Sequence, residues 1–414
     1  MPPPSHPRRR DFLYWLGASG AVVASSACGG GSGAADGGNG GGSEEAIAHS
    51  LAEITPANQA ATFRHMDRIA ATRSIARGAM AVTPLPKHER SLLALTYGNG
   101  GTPQDYMTRL RGGGLLVLKN GAIALELYGM GNDAASRWTS FSVAKSLTAT
   151  LFGAALRDGK LGLDDAVASH VPTLANSAYA VCTLRQLLRM TSGVRWNESY
   201  TSTDSDIARL GAAVSAARPG AVMDLMRTLP RVNAPGSTWN YSTGDAYVLG
   251  AAVAAACGQS LCAYLSERFW SRLGMEADAY WLLDAPGGTE LGGGAFSATL
   301  RDYGRLGLFV LHDGVVGSEQ LLPTGWRDTA GRPEDKLTAP GALINGYALG
   351  YGYQWWSLPA SSAFTAQGIY GQFLYIDPAE DFVGVVWGAW NTPNNSAAEL
   401  ETYALMAAAV AALR

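Results

Sequence analysis

Ser142 and Lys145, in the run Ser140-Phe141-Ser142-Val143-Ala144-Lys145, can together make a nucleophile with its own base. A serine hydroxyl is a poor nucleophile at neutral pH until a neighbouring group takes its proton. A lysine one helical turn further on lies on the same face and can do so. The pairing needs a helix, and SVAKSLTATLFGAALRDG predicts one: Val143, Leu147, Leu151 and Ala154 to Leu156 make an apolar stripe, and Gly159 is a left-handed stop. Ser142 then stands at the helix N-terminus, where the first amides are unpaired and partly positive, so its own amide can be one oxyanion donor. A capping serine and a surface lysine would give the same tetrad, so the rest of the chain has to decide.

The elements that must hold this helix can be read on either side of it. Between Gly112 and Gly131, two alternating apolar segments flank Asn120-Gly121, a strong hairpin signal. From Leu161 to Asp284 helices and long loops dominate, including a helix from Gly244 to Arg272 with a break at Gly258. Gly292-Gly293-Gly294 signals a close backbone approach and Thr299 to His312 a helix. Strands follow at Ala363 to Ile369, Gln372 to Ile376 and Phe382 to Ala389, then an Ala-rich helix from Ser396 to Leu413. The economical architecture is an α+β fold, an antiparallel sheet flanked by helices with an all-helical region inserted. In residue terms, 46–165 and 290–414 form the α/β catalytic region and 166–289 the insertion. No internal repeat is visible.

The chain has 414 residues, 47% of them hydrophobic and 16% charged, with a net charge of −3, which suits a globular protein large enough for two packed regions. With no dense basic patch after the first ten residues, nucleic acid is not an expected partner. Arg8-Arg9-Arg10-Asp11-Phe12-Leu13 and the apolar stretch from Leu13 to Ala24 resemble a twin-arginine export signal over residues 1–28. Cys28, after Ser26-Ala27, is a candidate lipidation site, and residues 29–45 read as a flexible Gly-rich linker. The expected location is therefore the periplasm, or the membrane through a lipid anchor. Of the remaining cysteines, Cys257 and Cys262 are close enough in sequence to bridge, while buried free thiols suit all three, Cys182 included. The six histidines show no metal-ligand spacing, so no zinc site is expected.

Six ordered stretches carry a family resemblance: SFSVAKSLTATLFGAALRDGKLGLDD, TLRQLLRMTSGVRWNESY, WNYSTGDAYVLG, GGGAFSATLRDYGRLG, YGYQWW and QGIYGQFLYIDP. Together they resemble the serine hydrolases related to class C β-lactamases and penicillin-binding proteins, most closely the branch of 6-aminohexanoate-dimer hydrolases and carboxylesterases. The resemblance implies a β-lactamase/transpeptidase-like fold and no metal or organic cofactor. It makes Ser142 the acylated nucleophile, Lys145 its partner, and Tyr241 the tyrosine of the Tyr-x-Asn motif, acting as base or acid if the Lys145 charge lowers its pKa. Thr243 replaces the asparagine of that motif. Gln367-Gly368-Ile369 stands where β-lactamases carry Lys-Thr-Gly, with no lysine to hold a substrate carboxylate.

The same likeness makes Ile369 the second oxyanion donor beside Ser142, with Gly368 and Gly371 allowing close backbone approach. Tyr200 resembles a loop tyrosine that covers the substrate and donates to a leaving amine, and Trp355 and Trp356 are candidate walls of an acyl pocket. The expected activity is hydrolysis of a small ester or amide through a Ser142 acyl-enzyme. Two rivals stand beside it. One is a penicillin-recognising peptidase or β-lactamase, which the missing lysine disfavours. The other is a non-catalytic exported binding protein, disfavoured by Ser142, Lys145 and Tyr241 occurring together.

Overall fold

Asn120 and Gly121 both take positive φ, 50° and 74°, the mirror-image turn whose twist matches that of paired strands. In this computed structural model, which describes residues 46–343 and 348–414, the turn joins β2 (Gly112–Lys119) to β3 (Ala122–Tyr128). The other strands are β1 (Thr72–Ile75), β4 (Arg137–Thr139), β5 (Ala279–Leu282), β6 (Phe296–Thr299) and the small hairpin β7 (Val315–Val316) with β8 (Glu319–Gln320). Then come β9 (Gly350–Tyr351), β10 (Trp356–Ser357), β11 (Phe364–Gly368), β12 (Gln372–Asp377) and β13 (Phe382–Gly388). Seven of them make one antiparallel sheet in the order β3-β2-β13-β12-β11-β10-β9, so both ends of the described chain meet in it as expected.

The sheet is covered on both faces, which is why its central strands read as continuous apolar runs. Successive residues of β2 point to opposite sides: Leu116 and Leu118 enter the main core, while Leu115 and Val117 enter a second cluster. The main core holds α1 (Val143–Arg157), α2 (Thr243–Cys257) and α3 (Leu300–Leu311). The second cluster is closed by α4 (Ser396–Ala412), through Tyr403, Leu405, Met406 and Ala409.

Two expectations need correction. The nucleophile helix α1 is no amphipathic element with one apolar stripe, because every residue from Val143 to Ala155 is buried. Its polar positions are therefore satisfied internally: Ser146 Oγ donates to Gln354 O at 2.6 Å and Thr148 Oγ1 to Gly292 O at 2.7 Å. The segment 166–289 is also not wholly helical. Ala279-Tyr280-Trp281-Leu282 is a fully buried strand, paired with β1 on one side and β6 on the other, in a second sheet ordered β1-β5-β6-β4. A strand hidden on both faces shows no alternation, so nothing in those four residues separates it from a core helix. This second sheet places the nucleophile, since β4 runs directly into Ser140, whose amide donates to Phe296 O of β6 at 2.8 Å.

Candidate active site

The chain turns from β4 into α1 through Phe141, whose φ of 44° is left-handed for a residue with a side chain. The turn presents Ser142 at the helix N-cap with its hydroxyl making no capping bond. That hydroxyl faces Lys145 instead, and Lys145 Nζ lies 2.9 Å from Ser142 Oγ, 2.9 Å from Thr243 Oγ1 and 2.7 Å from Gly293 O. Lys145 is only 1% exposed, and burial pushes its ammonium down to about 8 although the charge of Glu198 pulls the other way. In its neutral form the amine keeps two N–H donors for Thr243 and Gly293, leaving one lone pair to aim at the Ser142 proton. The site therefore holds a lysine that is a free base under mildly alkaline conditions.

Tyr241 departs from the role expected of it. Lys145 Nζ sits over the face of its ring, 4.8 Å from the centroid, where it makes a cation–π contact. Burial, followed by the Glu198 charge, pushes the phenol well above its ordinary value, while its contact with the Ser142 hydroxyl works in the opposite direction. The resting phenol is thus protonated and can pass a proton on, and burial disfavours the phenolate that a base would need. The charge that was expected to lower its pKa lies over the ring face, and burial sets the direction of the shift.

Glu198, which the sequence reading left without a role, lies where several of these groups meet. Its Oε1 accepts from Thr243 Oγ1 at 2.6 Å and from the Tyr200 hydroxyl at 2.7 Å. Its Oε2 accepts from the Thr243 amide at 3.1 Å, at the first turn of α2, and also from Trp196 Nε1. Thr243, the residue in place of asparagine, therefore links Lys145 to Glu198. Tyr200 does reach the site, but its proton is given to Glu198 and is not free for a leaving amine.

The end of β11 forms the opposite wall. A Cβ on Gly368 would come within 2.3 Å of Ser140 O and 3.1 Å of Ser142 N, so only glycine lets this strand press against the nucleophile turn. Ile369 follows, and among the described residues neither its amide nor that of Ser142 has a protein acceptor. Both amides are thus left open to an acceptor from outside the protein. Gly368→Ala must move backbone against backbone, and we expect about 10²-fold lower kcat/KM with the fold retained, checked by ester hydrolysis beside a thermal melt.

Three other expected residues sort differently. Gly371, with φ of 91°, closes the β11–β12 turn, and its Cβ would strike the Trp390 indole at 2.4 Å, so its need for glycine is structural. Trp355 is buried in the main core against Phe364, 5.1 Å between rings. Its neighbour Trp356 points to the other side and stacks on Tyr241 at 5.5 Å, so of the pair only Trp356 borders the site. Gln367 donates its side-chain amide to Tyr403 of α4 and offers no charge to a substrate. The three cysteines from Cys182 onward are free, whereas Cys28 and the export segment lie outside the described residues.

Comparisons with known proteins bear on the family and the fold. The sequence matches the family described as Beta-lactamase over residues 95–409. It is 29% identical over 286 residues to the 6-aminohexanoate-dimer hydrolase of Paenarthrobacter ureafaciens, covering 67% of this chain and 73% of that protein. A solved structure from Bacillus anthracis, provisionally assigned as a 6-aminohexanoate-dimer hydrolase, superposes with a TM-score of 0.77 at 22% identity, over 86% of this chain and 97% of that one. EstCE1, a hydrolase with promiscuous acyltransferase activity, superposes at 0.56 with 17% identity, over 70% of this chain and 91% of its own. At such identities the two structures speak for the fold alone, while the family match spans most of the sequence. The chain belongs to the β-lactamase family, a family of serine hydrolases.

Proposed function

We propose that the protein hydrolyses a small ester or amide through an acyl-enzyme on Ser142, and the observation that carries this is the buried Lys145 amine 2.9 Å from Ser142 Oγ. Neutral Lys145 takes the Ser142 proton as Oγ attacks the carbonyl carbon. The resulting oxyanion is received by the Ser142 and Ile369 amides, the former reinforced by the N-terminus of α1. Collapse expels the leaving group, which collects the proton from Lys145. Water then repeats the sequence in reverse, giving a proton to Lys145 as it attacks, and Ser142 is restored. The likeness to 6-aminohexanoate-dimer hydrolase supports an amide among the substrates.

Gln367, turned toward α4 where a substrate carboxylate would need a cation, favours ester or amide substrates over β-lactams. The twin-arginine segment supports action in the periplasm or at the membrane surface.

Because the base must be neutral, kcat/KM should rise with pH through about 8 and level off above it. At pH 7 only about a tenth of the lysine is free base, so the rate at pH 9 should exceed that at pH 7 by roughly tenfold. The test is hydrolysis of a short-chain nitrophenyl ester between pH 6 and 10. A rate independent of pH over that range contradicts Lys145 as the base.

A further inference from the structure

We propose that Glu198 is a positioning residue which, by holding the Thr243 hydroxyl proton, keeps the lone pair of Lys145 directed at Ser142. Thr243 Oγ1 is 2.9 Å from Lys145 Nζ and 2.6 Å from Glu198 Oε1. A hydroxyl has one proton, and a carboxylate can only accept, so the proton lies toward Glu198 and Thr243 shows Lys145 only lone pairs. Lys145 must then donate to Thr243, as it does to Gly293 O, and its remaining orbital is left for Ser142. Without a carboxylate at position 198, the Thr243 hydroxyl can turn and donate to the neutral amine, occupying the lone pair that should receive the Ser142 proton. The indole of Trp196 and the amide of Thr243 fix Oε2, so the carboxylate itself is held in place.

The inference rests on the serine-hydrolase reading, and it also makes a claim about Lys145 that is independent of turnover. Glu198 is the acidic group that opposes the effect of burial on Lys145. The other titratable groups around the pair are Tyr241, Tyr200, Tyr351 and Asp245. Burial first, then the Glu198 charge, pushes the phenols of Tyr241 and Tyr200 up; for Tyr351 the Tyr241 charge contributes after burial and before that of Glu198. All three stay protonated with or without Glu198. Asp245, in the first turn of α2, is pushed up to about 7 by burial, with the hydroxyls of Ser192, Tyr179 and Ser242 pulling the other way. It titrates alike in both variants, so the difference between their profiles isolates Glu198.

The experiment compares the parent with Glu198→Gln, which keeps the size of the side chain and one acceptor. Lysine labelled with carbon-13 at Cε gives a titration by NMR in a chain of five lysines, with the Lys145 signal assigned by its loss in Lys145→Arg. We expect the Lys145 midpoint, and with it the acid limb of kcat/KM, to move down by about one pH unit or more, with the plateau rate falling about 10- to 10²-fold. In a Thr243→Val background, Glu198→Gln should add little further loss of rate, because the relay is already broken. An unmoved NMR midpoint, or rate losses that simply multiply, overturns the proposal. An inactive parent with a shifted midpoint would instead count against the hydrolase reading alone. Should Glu198→Gln fail to fold, Glu198→Asp keeps the charge but shortens the reach; a retained limb with a lowered plateau supports the relay, and a plateau at the parent's value refutes it.

Discussion

Ser142→Ala is expected to lower nitrophenyl ester hydrolysis by about 10⁴-fold or more, because it removes the hydroxyl that Lys145 can deprotonate to form the acyl-enzyme. Thr243 Oγ1 also touches Lys145, but its proton is given to Glu198, which keeps it from substituting as the nucleophile. The fold should survive the change. The Ser142 hydroxyl caps no helix amide, and alanine fits the same turn without new volume. Residual rate comes from the oxyanion amides and substrate binding, which the substitution leaves intact, so the fall belongs to kcat rather than KM. Steady-state kinetics beside a thermal melt checks both halves, and a variant within tenfold of the parent contradicts the assignment.

Lys145→Met should cost about 10³- to 10⁴-fold in kcat and, more tellingly, remove the limb near pH 8. Methionine fills a similar volume in a fully buried space, so packing around α1 is largely kept. What disappears is the lone pair that takes the Ser142 proton. The loss should therefore be largest at high pH, where the parent is fully active, and smallest below pH 7, where the parent's own lysine is mostly charged. A pH profile of the variant parallel to that of the parent would show that another group sets the limb.

How far each of these features could be seen in the sequence follows from how local it is. Ser142 and Lys145 were legible because their chemistry and their three-residue spacing lie within one helical turn. The Asn120-Gly121 hairpin was legible because a single dipeptide sets its φ values. Glu198 was not. It meets Thr243 across 45 positions and reaches Lys145 through that contact and through its charge, and one acid in a loop looks like any solvated charge. The pair Trp355-Trp356 reads as one feature, yet one ring enters the main core and the other stacks on Tyr241.

For Tyr241 the residue was found and its state was not. Whether a cation lies at the hydroxyl or over the ring changes how well it stabilises a phenolate, and no spacing records that difference. The single-stripe reading of α1 and the missed strand β5 share one cause. Both elements are buried on all sides, so the polar–apolar contrast that a sequence pattern relies on is missing.

In the proposed reaction Ser142 carries the acyl group between attack and release. The most direct measurement is rapid quenching of the parent with nitrophenyl acetate, followed by peptide mapping by mass spectrometry. The account predicts a burst of nitrophenol no larger than the enzyme concentration and an acetyl group on the peptide containing Ser142, with neither seen in Ser142→Ala. Turnover with no adduct, or an acetyl group on any other residue while Ser142→Ala stays active, would contradict it.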